Sequence, residues 1–188
     1  MFALISPTVD LHQQWLEAHR EWGSGAHEDG FGLDPSDDVE SPSGFAAWVE
    51  SLQQQSDPSQ DRRGTCRWIV EGNRVLGGIA LRHGTDDVTR RDGHIGYGVR
   101  PSARRRGVAT WALGEMLTQA KGFGLERVLI VCEADNTASI KTIERHGGVL
   151  DIIRKTEHGH VRHYWIELDT RFVVASDAVD PPLAPIRI

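Results

Sequence analysis

Apolar residues recur along this chain at two periods, which together predict alternating strands and helices. Ile95, Tyr97 and Val99 occupy alternate positions, as on one face of a strand. From residue 109 to 120 the apolar spacing becomes three and four, which is typical of a helix that buries one side. The predicted strands cover residues 1–6, 66–70, 75–81, 95–99, 128–132, 149–156 and 160–168; the predicted helices run from Thr8 or Asp10 to Trp22, from Phe45 to Gln54, from Gly107 to Gly122 and onward from Asn136, with a polar loop at 83–92.

This order of elements predicts an α+β protein of three layers. Its centre is a mixed, mostly antiparallel sheet with helices on both faces. A chain of 188 residues is long enough for one domain with a sizeable core. We therefore predict a single domain over residues 1–175 and a C-terminal tail over 176–188, where three prolines lie within a few residues.

The composition narrows the classes of partner. The formal net charge is −6, which argues against nonspecific binding to nucleic acid or to an anionic membrane. No apolar run reaches the length of a membrane helix, and the first residues lack the pattern of a signal peptide. Cys66 and Cys132 both fall in predicted strands, as small core residues do in a reducing compartment. We expect a cytoplasmic protein.

A basic turn between a strand and a helix is the strongest candidate for a binding site. Arg104, Arg105 and Arg106 stand directly before Gly107, and a helix pattern follows. The start of a helix leaves backbone N–H groups without partners and is electropositive, so this turn suits a polyphosphate. The alternative is a basic turn that is merely solvated. The strand–turn–helix setting within an acidic protein favours the anion site.

The pattern Val99-x-Pro101-x-x-Arg104-x-x-Gly107-x-Ala109 resembles the pyrophosphate-binding motif of the GNAT acyltransferase superfamily. A second block supports the resemblance, because the strand at 128–132 is followed by a turn and helix that begin at Asn136. The resemblance extends from about residue 65 to residue 168. It implies the three-layer fold of that family.

The resemblance also implies acetyl-coenzyme A as co-substrate, held where the strands at 95–99 and 128–132 separate. Its pantetheine arm would pair with the backbone of the first strand, and its pyrophosphate would take the N–H groups of the basic turn. Asn136 would cap a helix, contact the cofactor, or do both. The implied cofactor-binding residues are Tyr97, Gly98, Val99, Arg104, Arg105, Arg106, Gly107, Val108, Ala109, Thr110, Asn136 and Ser139.

The implied reaction is attack of a neutral amine on the thioester, with a backbone N–H of Gly98 or Val99 as oxyanion donor. The chain departs from the family pattern at the usual general acid, since Ile143 stands where many members have tyrosine. Tyr164 is a substitute acid, although a tyrosine in a strand is more often a packing residue.

The base and the metal content follow from other titratable residues. His94, with His83 at the end of the neighbouring strand, is the first candidate base, and a hydrogen-bonded structural histidine is its alternative. Glu133 is the second candidate and equally reads as a surface carboxylate. The nine histidines show no spacing typical of a metal site, and His158, His160 and His163 lie in a predicted hairpin without clear supporting ligands, so we expect no metal.

The acceptor is addressed only by charge. No lysine or arginine occurs from residue 21 to residue 61, a stretch with ten acidic residues. It forms either a solvated loop or an acidic lip that attracts a small cationic amine, such as an aminoglycoside antibiotic or a polyamine. The alternatives are a protein or peptide amine, a coenzyme A-binding module without turnover, or a structural domain with a fortuitous basic turn. Six tryptophans are also compatible with a homodimer.

Overall fold

A computed structural model describes residues 1–22, 30–56, 64–84, 86–157 and 159–168, and the fold is given for these. Seven strands and five α-helices follow one another in the order that the apolar periods predict, with one added helix. They are β1 (Phe2–Ile5), α1 (His12–Trp22), α2 (Pro42–Gln55), β2 (Gly64–Glu71), β3 (Arg74–Arg82), α3 (Asp87–Asp92), β4 (Ile95–Val99), α4 (Val108–Gly122), β5 (Arg127–Glu133), α5 (Thr137–Arg145), β6 (Val149–Thr156) and β7 (Gly159–Glu167).

The strands form two antiparallel sheets that meet between β4 and β5. The first has the order β1-β2-β3-β4 and the second the order β5-β7-β6. An isolated bridge between Gly93 and Ile130 joins them at the start of β4. Beyond it, no ladder connects β4 to β5 in the described part of the chain. The α+β class and the antiparallel character are thus confirmed, and the central sheet is divided at the place where the two motif-bearing strands lie.

The segment 83–92 is not entirely a loop, and that prediction was wrong. Its second half is the added helix, α3. Asp86 caps this helix by accepting a hydrogen bond from the N–H of Thr89 at 2.9 Å, and Gly93 ends it with a φ of 84°. Six residues make less than two turns, too few to show an apolar period, so only the capping pattern could have indicated it.

Two hydrophobic cores lie on opposite sides of the first sheet. On one side, Trp15 of α1 and Trp48 of α2 pack against Trp68 of β2. On the other side, α4 covers β3 and β4 with residues that include Leu113 and Met116. This is the helix-sheet-helix layering that the alternation of side chains along a strand requires.

Some predicted features fall outside this description. The tail at 176–188 and the last residues of the predicted domain, 169–175, lie beyond the described residues. None of the described helices is long and apolar enough to cross a membrane.

Replacing Leu113 by alanine should lower the free energy of unfolding by about 2–5 kcal/mol, because the side chain is fully buried and its loss leaves a cavity. Urea denaturation measures the change. The control is Glu115→Ala, an exposed site on the same helix, for which we expect less than about 0.5 kcal/mol. Equal effects of the two variants would contradict the placement of α4 on the sheet.

Candidate active site

The basic turn forms a cradle of unpaired backbone N–H groups at the start of α4. Gly107 directly precedes the helix with a φ of 78°, and Arg105 has a φ of 61°. The helical ladder begins only where the N–H of Trp111 donates to the carbonyl of Gly107. The six N–H groups of residues 105–110 have no acceptor within the described residues. Such a run at a helix N-terminus is an anion-binding concavity.

The three arginines of the turn have different surroundings. Arg104 donates through Nε to the carbonyl of Val99 at 2.9 Å. Arg106 donates to both carboxylate oxygens of Glu71, at 2.8 and 3.0 Å, and this contact holds the pKa of Glu71 below its usual value. Arg105 is exposed and has no hydrogen bond or ion pair to a described residue. Arg105 is therefore the side chain that can meet a phosphate without losing an existing partner.

The outer edge of β4 continues this cradle. The N–H of Arg100 donates to the carbonyl of Leu76 in β3 at 2.8 Å. Peptide groups of a strand point alternately to its two neighbours, so Gly98 also turns its polar groups toward β3. Tyr97 and Val99 turn theirs toward β5, with which β4 forms no ladder in the described residues, and the Val99 carbonyl there accepts from Arg104. An extended ligand can pair with that edge as an added strand would.

Hydrogen-bonded residues at the start of α5 line the other side of the cleft, by which we mean the gap between β4 and β5. Asn136 caps α5, as predicted, by accepting from the N–H of Ser139 at 3.0 Å. The hydroxyl groups of Ser139 and Tyr97 are 2.8 Å apart, which joins α5 to β4 across the opening. Burial raises the pKa of the Cys132 thiol on β5, and a hydrogen bond with Ser139 partly offsets this. Thus β4, β5 and α5 all contribute polar groups to one site.

A family model described as an acetyltransferase (GNAT) domain matches residues 18–149, which is more than half of the chain. The chain belongs to the GNAT acetyltransferase family. No curated protein matches the sequence.

Solved GNAT structures share the fold at low sequence identity. A microcin self-immunity acetyltransferase, in complex with acetyl-CoA and AMP, has a TM-score of 0.67 and 17% identity over 88% of this chain and 92% of its own. An acetyltransferase from Salmonella typhimurium that modifies the N-terminal serine of a ribosomal protein has a TM-score of 0.66 and 16% identity, over 89% of this chain and 95% of its own. The ribosomal protein acetyltransferase RimL, in complex with coenzyme A, has a TM-score of 0.65 and 19% identity, over 89% of this chain and 94% of its own.

As a member of this family, the protein is an acetyltransferase whose co-substrate is acetyl-CoA. The cradle at residues 105–110 has the chemistry that the pyrophosphate of this molecule needs: unpaired N–H donors, a helix N-terminus and a free guanidinium. Within the described residues, no group of three or more His, Cys, Asp or Glu could hold a metal ion; His158 lies outside them.

His94 lies at the predicted place, the start of β4, but its ring is engaged. The N–H of Leu129 donates to His94 Nδ1 at 2.9 Å, and the His94 backbone N–H donates to the Leu129 carbonyl at 2.7 Å. The neutral ring therefore carries its proton on Nε2 and has no free lone pair. Burial lowers the pKa of His94, and the side chain is 5% exposed. This geometry favours the structural alternative, in which His94 ties β4 to β5.

The other candidate acid–base residues differ in how far their side chains are exposed to solvent. Tyr164 is 1% exposed, and its hydroxyl donates to Glu144 at 3.4 Å. Ile143, at the position where many family members have tyrosine, is wholly buried in the core. Glu133 is exposed at the end of β5, where no described residue binds its carboxylate. His83 pairs with Thr65 at 3.0 Å.

The described carboxylates of the acidic stretch, residues 21–61, accept hydrogen bonds from other residues of the chain. Residues 28, 29, 57 and 61 lie outside the described part. All six others accept a hydrogen bond from a described residue: Glu21 from Arg100, Asp34 from Ser36, Asp37 from the N–H of Asp34, Asp38 from Ser41, Glu40 from Arg20 and Glu50 from Gln54. Two of the six, Glu21 and Glu40, also face an arginine that neutralises them.

His94 should make the protein less stable in acid. Its folded pKa lies below the unfolded value of about 6.5, so the stability is complete above that pH and is lost as the pH falls through the folded pKa. We expect His94→Asn, whose amide oxygen can still accept from Leu129, to reduce the loss of stability between about pH 7.5 and 5.5. Urea midpoints across this range measure it.

His160→Asn is the matched control because His160 is exposed, and it should keep the wild-type pH dependence. Part of that dependence will persist in both variants, since burial also lowers the pKa of His163. An unchanged slope in His94→Asn would contradict the structural role of the ring.

Proposed function

We propose that this GNAT enzyme transfers the acetyl group of acetyl-CoA to a primary amine. The observation that carries the proposal is the cradle of six N–H groups at residues 105–110, which have no acceptor among the described residues and lie beside the edge of β4 that forms no ladder with β5 there. The cradle would hold the pyrophosphate, and the edge would hold the pantetheine arm. The acetyl group would then lie toward the far end of the cleft, near Ser139 and Cys132.

The oxyanion donor of this reaction is the backbone N–H of Val99. As the amine attacks the thioester, negative charge develops on the carbonyl oxygen and needs a fixed donor. The two candidates from the sequence were Gly98 and Val99. Alternation along β4 supports Val99, because the Gly98 peptide faces β3 while that of Val99 faces the cleft.

We assign the proton for the leaving thiolate to Tyr97, with Ser139 as its hydrogen-bond partner. The two hydroxyl groups bridge the cleft at 2.8 Å. Tyr164 is the weaker candidate, because its side chain is buried and its hydroxyl is bound to Glu144. A coenzyme A thiol with a pKa near the usual value of about 8.5 needs only modest assistance at neutral pH, so a single hydroxyl donor is sufficient.

We assign removal of the amine proton to Glu133, directly or through water. Its carboxylate is exposed at the end of β5 and has no partner among the described residues. His94 does not fit this role, because the nitrogen that would accept the proton already accepts from Leu129. An exposed carboxylate is a weak base, so we expect the reaction to favour a pH at which the amine is already largely neutral.

The first candidate acceptor is a small cationic amine, including an aminoglycoside. Its support is the absence of basic residues from 21 to 61. Two of the six described carboxylates weaken this argument, because Glu21 and Glu40 each face an arginine whose charge offsets their own. The other four accept hydrogen bonds from neutral donors and keep their negative charge.

The second candidate acceptor is the α-amine of a peptide or protein. Two structural neighbours act on or are named for ribosomal proteins, one of them at an N-terminal serine. The likeness to those neighbours is one of fold, so the acceptor must be decided by experiment.

Free thiol release from acetyl-CoA, followed with aminoglycosides, polyamines and short peptides, tests the proposal. Release with a small cation would support the first acceptor, and release with peptides alone would support the second. The variant Gly107→Asp should abolish release and weaken coenzyme A binding about 100-fold, since its carboxylate faces the pyrophosphate.

The matched control is Gly107→Asn, which has the same shape and also tolerates a positive φ, but carries no charge. It should bind coenzyme A much better than the aspartate variant. Equal binding by the two variants would contradict a pyrophosphate at this turn. Tight coenzyme A binding without release for any amine would instead favour a binding module.

Tyr97→Phe should lower kcat about tenfold or more and remove the alkaline limb of the kcat–pH profile, because the proton donor is lost. Its Kd for coenzyme A should stay close to that of the wild type, since the backbone of β4 is unchanged. Tyr164→Phe is the paired variant and should keep the wild-type kcat. The reverse result, with only Tyr164→Phe impaired, would transfer the role to Tyr164.

A further inference from the structure

The last turn of α1 is fastened to the segment that leads into the cradle. One carboxylate oxygen of Glu21 accepts the backbone N–H of Ser102, and the other accepts Nε of Arg100. The hydroxyl of Ser102 also donates to Glu21, at 3.0 Å. These three contacts join residues about eighty positions apart in sequence to one carboxylate.

This ion pair is shielded from solvent, unlike the other ion pairs of the described residues. The Arg100 side chain is 8% exposed and that of Glu21 is 24% exposed, whereas both members of the Arg20–Glu40 pair are 60% exposed. Arg100 also donates to the carbonyl of Val75 at 3.1 Å. Burial opposes the charge of Glu21, but the hydrogen bonds from Ser102 and Arg100 outweigh it and hold its pKa below the usual value.

The next residue of α1 holds the turn at a second point. The guanidinium of Arg104 lies over the ring of Trp22, 5.3 Å from its centroid. The same guanidinium donates to the carbonyl of Val99. Arg104 is thereby fixed between α1 and β4.

The N–H groups of residues 105–110 follow directly on the segment that holds Arg100, Ser102 and Arg104. The placement of these three residues therefore determines where the N–H groups point. We propose that Glu21 and Trp22 are positioning residues for the cofactor, which set the affinity for the pyrophosphate half of acetyl-CoA through these three residues. The inference rests on the proposed pyrophosphate site. The residues do not touch the ligand themselves; they order the backbone that does, which reduces the entropy lost on binding.

The decisive measurement compares two ligands, coenzyme A and pantetheine, which lacks the pyrophosphate. Glu21→Gln keeps the size of the side chain but presents an amide –NH2 to one of the two donors, so one contact is lost. We expect its Kd for coenzyme A to rise about tenfold, with the Kd for pantetheine unchanged within about twofold. Calorimetry on the full chain measures both. The control is Glu40→Gln, which breaks the exposed ion pair between Glu40 and Arg20, a residue of α1 like Glu21. It should alter neither the Kd for coenzyme A nor the Kd for pantetheine.

Trp22 provides an independent pair of variants if Glu21→Gln folds poorly. Trp22→Leu removes the face under Arg104 and should weaken coenzyme A binding about threefold, while Trp22→Phe restores an aromatic face and should recover it. Pantetheine binding should again be unaffected.

Three results would overturn the inference. Equal losses for coenzyme A and pantetheine would mean that α1 supports the whole fold rather than the cradle. Unchanged binding of coenzyme A in both Glu21→Gln and Trp22→Leu would mean that the turn is ordered without α1. Wild-type protein that binds coenzyme A no better than pantetheine would refute the pyrophosphate site itself, and with it this inference, before any variant is compared.

Discussion

The site depends on one constraint of the backbone: β4 forms a ladder with β3 along one edge and, within the described residues, forms none with β5 along the other. Buried or half-buried peptide groups need partners, and an open strand edge is a liability that proteins usually cover. Here the two sheets join at Gly93 and Ile130 and then separate, so the N–H of Val99 points toward the gap between β4 and β5, while its carbonyl accepts from Arg104. The chain extends this set of donors directly into the N-terminus of α4, so that a polar linear ligand can satisfy both.

Positive charge at the turn is less available than the run of arginines suggests. Arg106 is paired with Glu71, and Arg104 is held by Val99 and Trp22. Two of the three side chains thus act mainly on the protein, shaping the turn, while the backbone N–H groups and Arg105 remain for the ligand. This division is economical in conformational entropy, because amides fixed by the fold lose less freedom on binding than long side chains do.

The sequence was informative where one local pattern determines one local structure. The strand, glycine and helix of the basic turn, and the cap at Asn136, follow from nearest-neighbour chemistry and were predicted. The partners of His94 and Glu21 were not, because they lie 35 positions away for His94 and 79 and 81 positions away for Glu21, and only the tertiary fold brings them together. A histidine beside a predicted cleft has the same sequence pattern whether its Nδ1 is free or bound. The helix α3 was missed because it is shorter than the period that reveals helices.

Charge composition is the least transferable of these signals. Ten acidic residues in a stretch that contains no lysine or arginine suggested an attractive surface, yet Glu21 pairs with Arg100 and Glu40 pairs with Arg20 of α1. The field at a site depends on which charges stay unpaired after folding, and pairing is a property of contacts rather than of sequence intervals. The stretch whose charge suggested a cationic acceptor therefore also holds, through Glu21, the segment that precedes the basic turn. A substrate inferred from net charge needs the pairing of each charge as its first test.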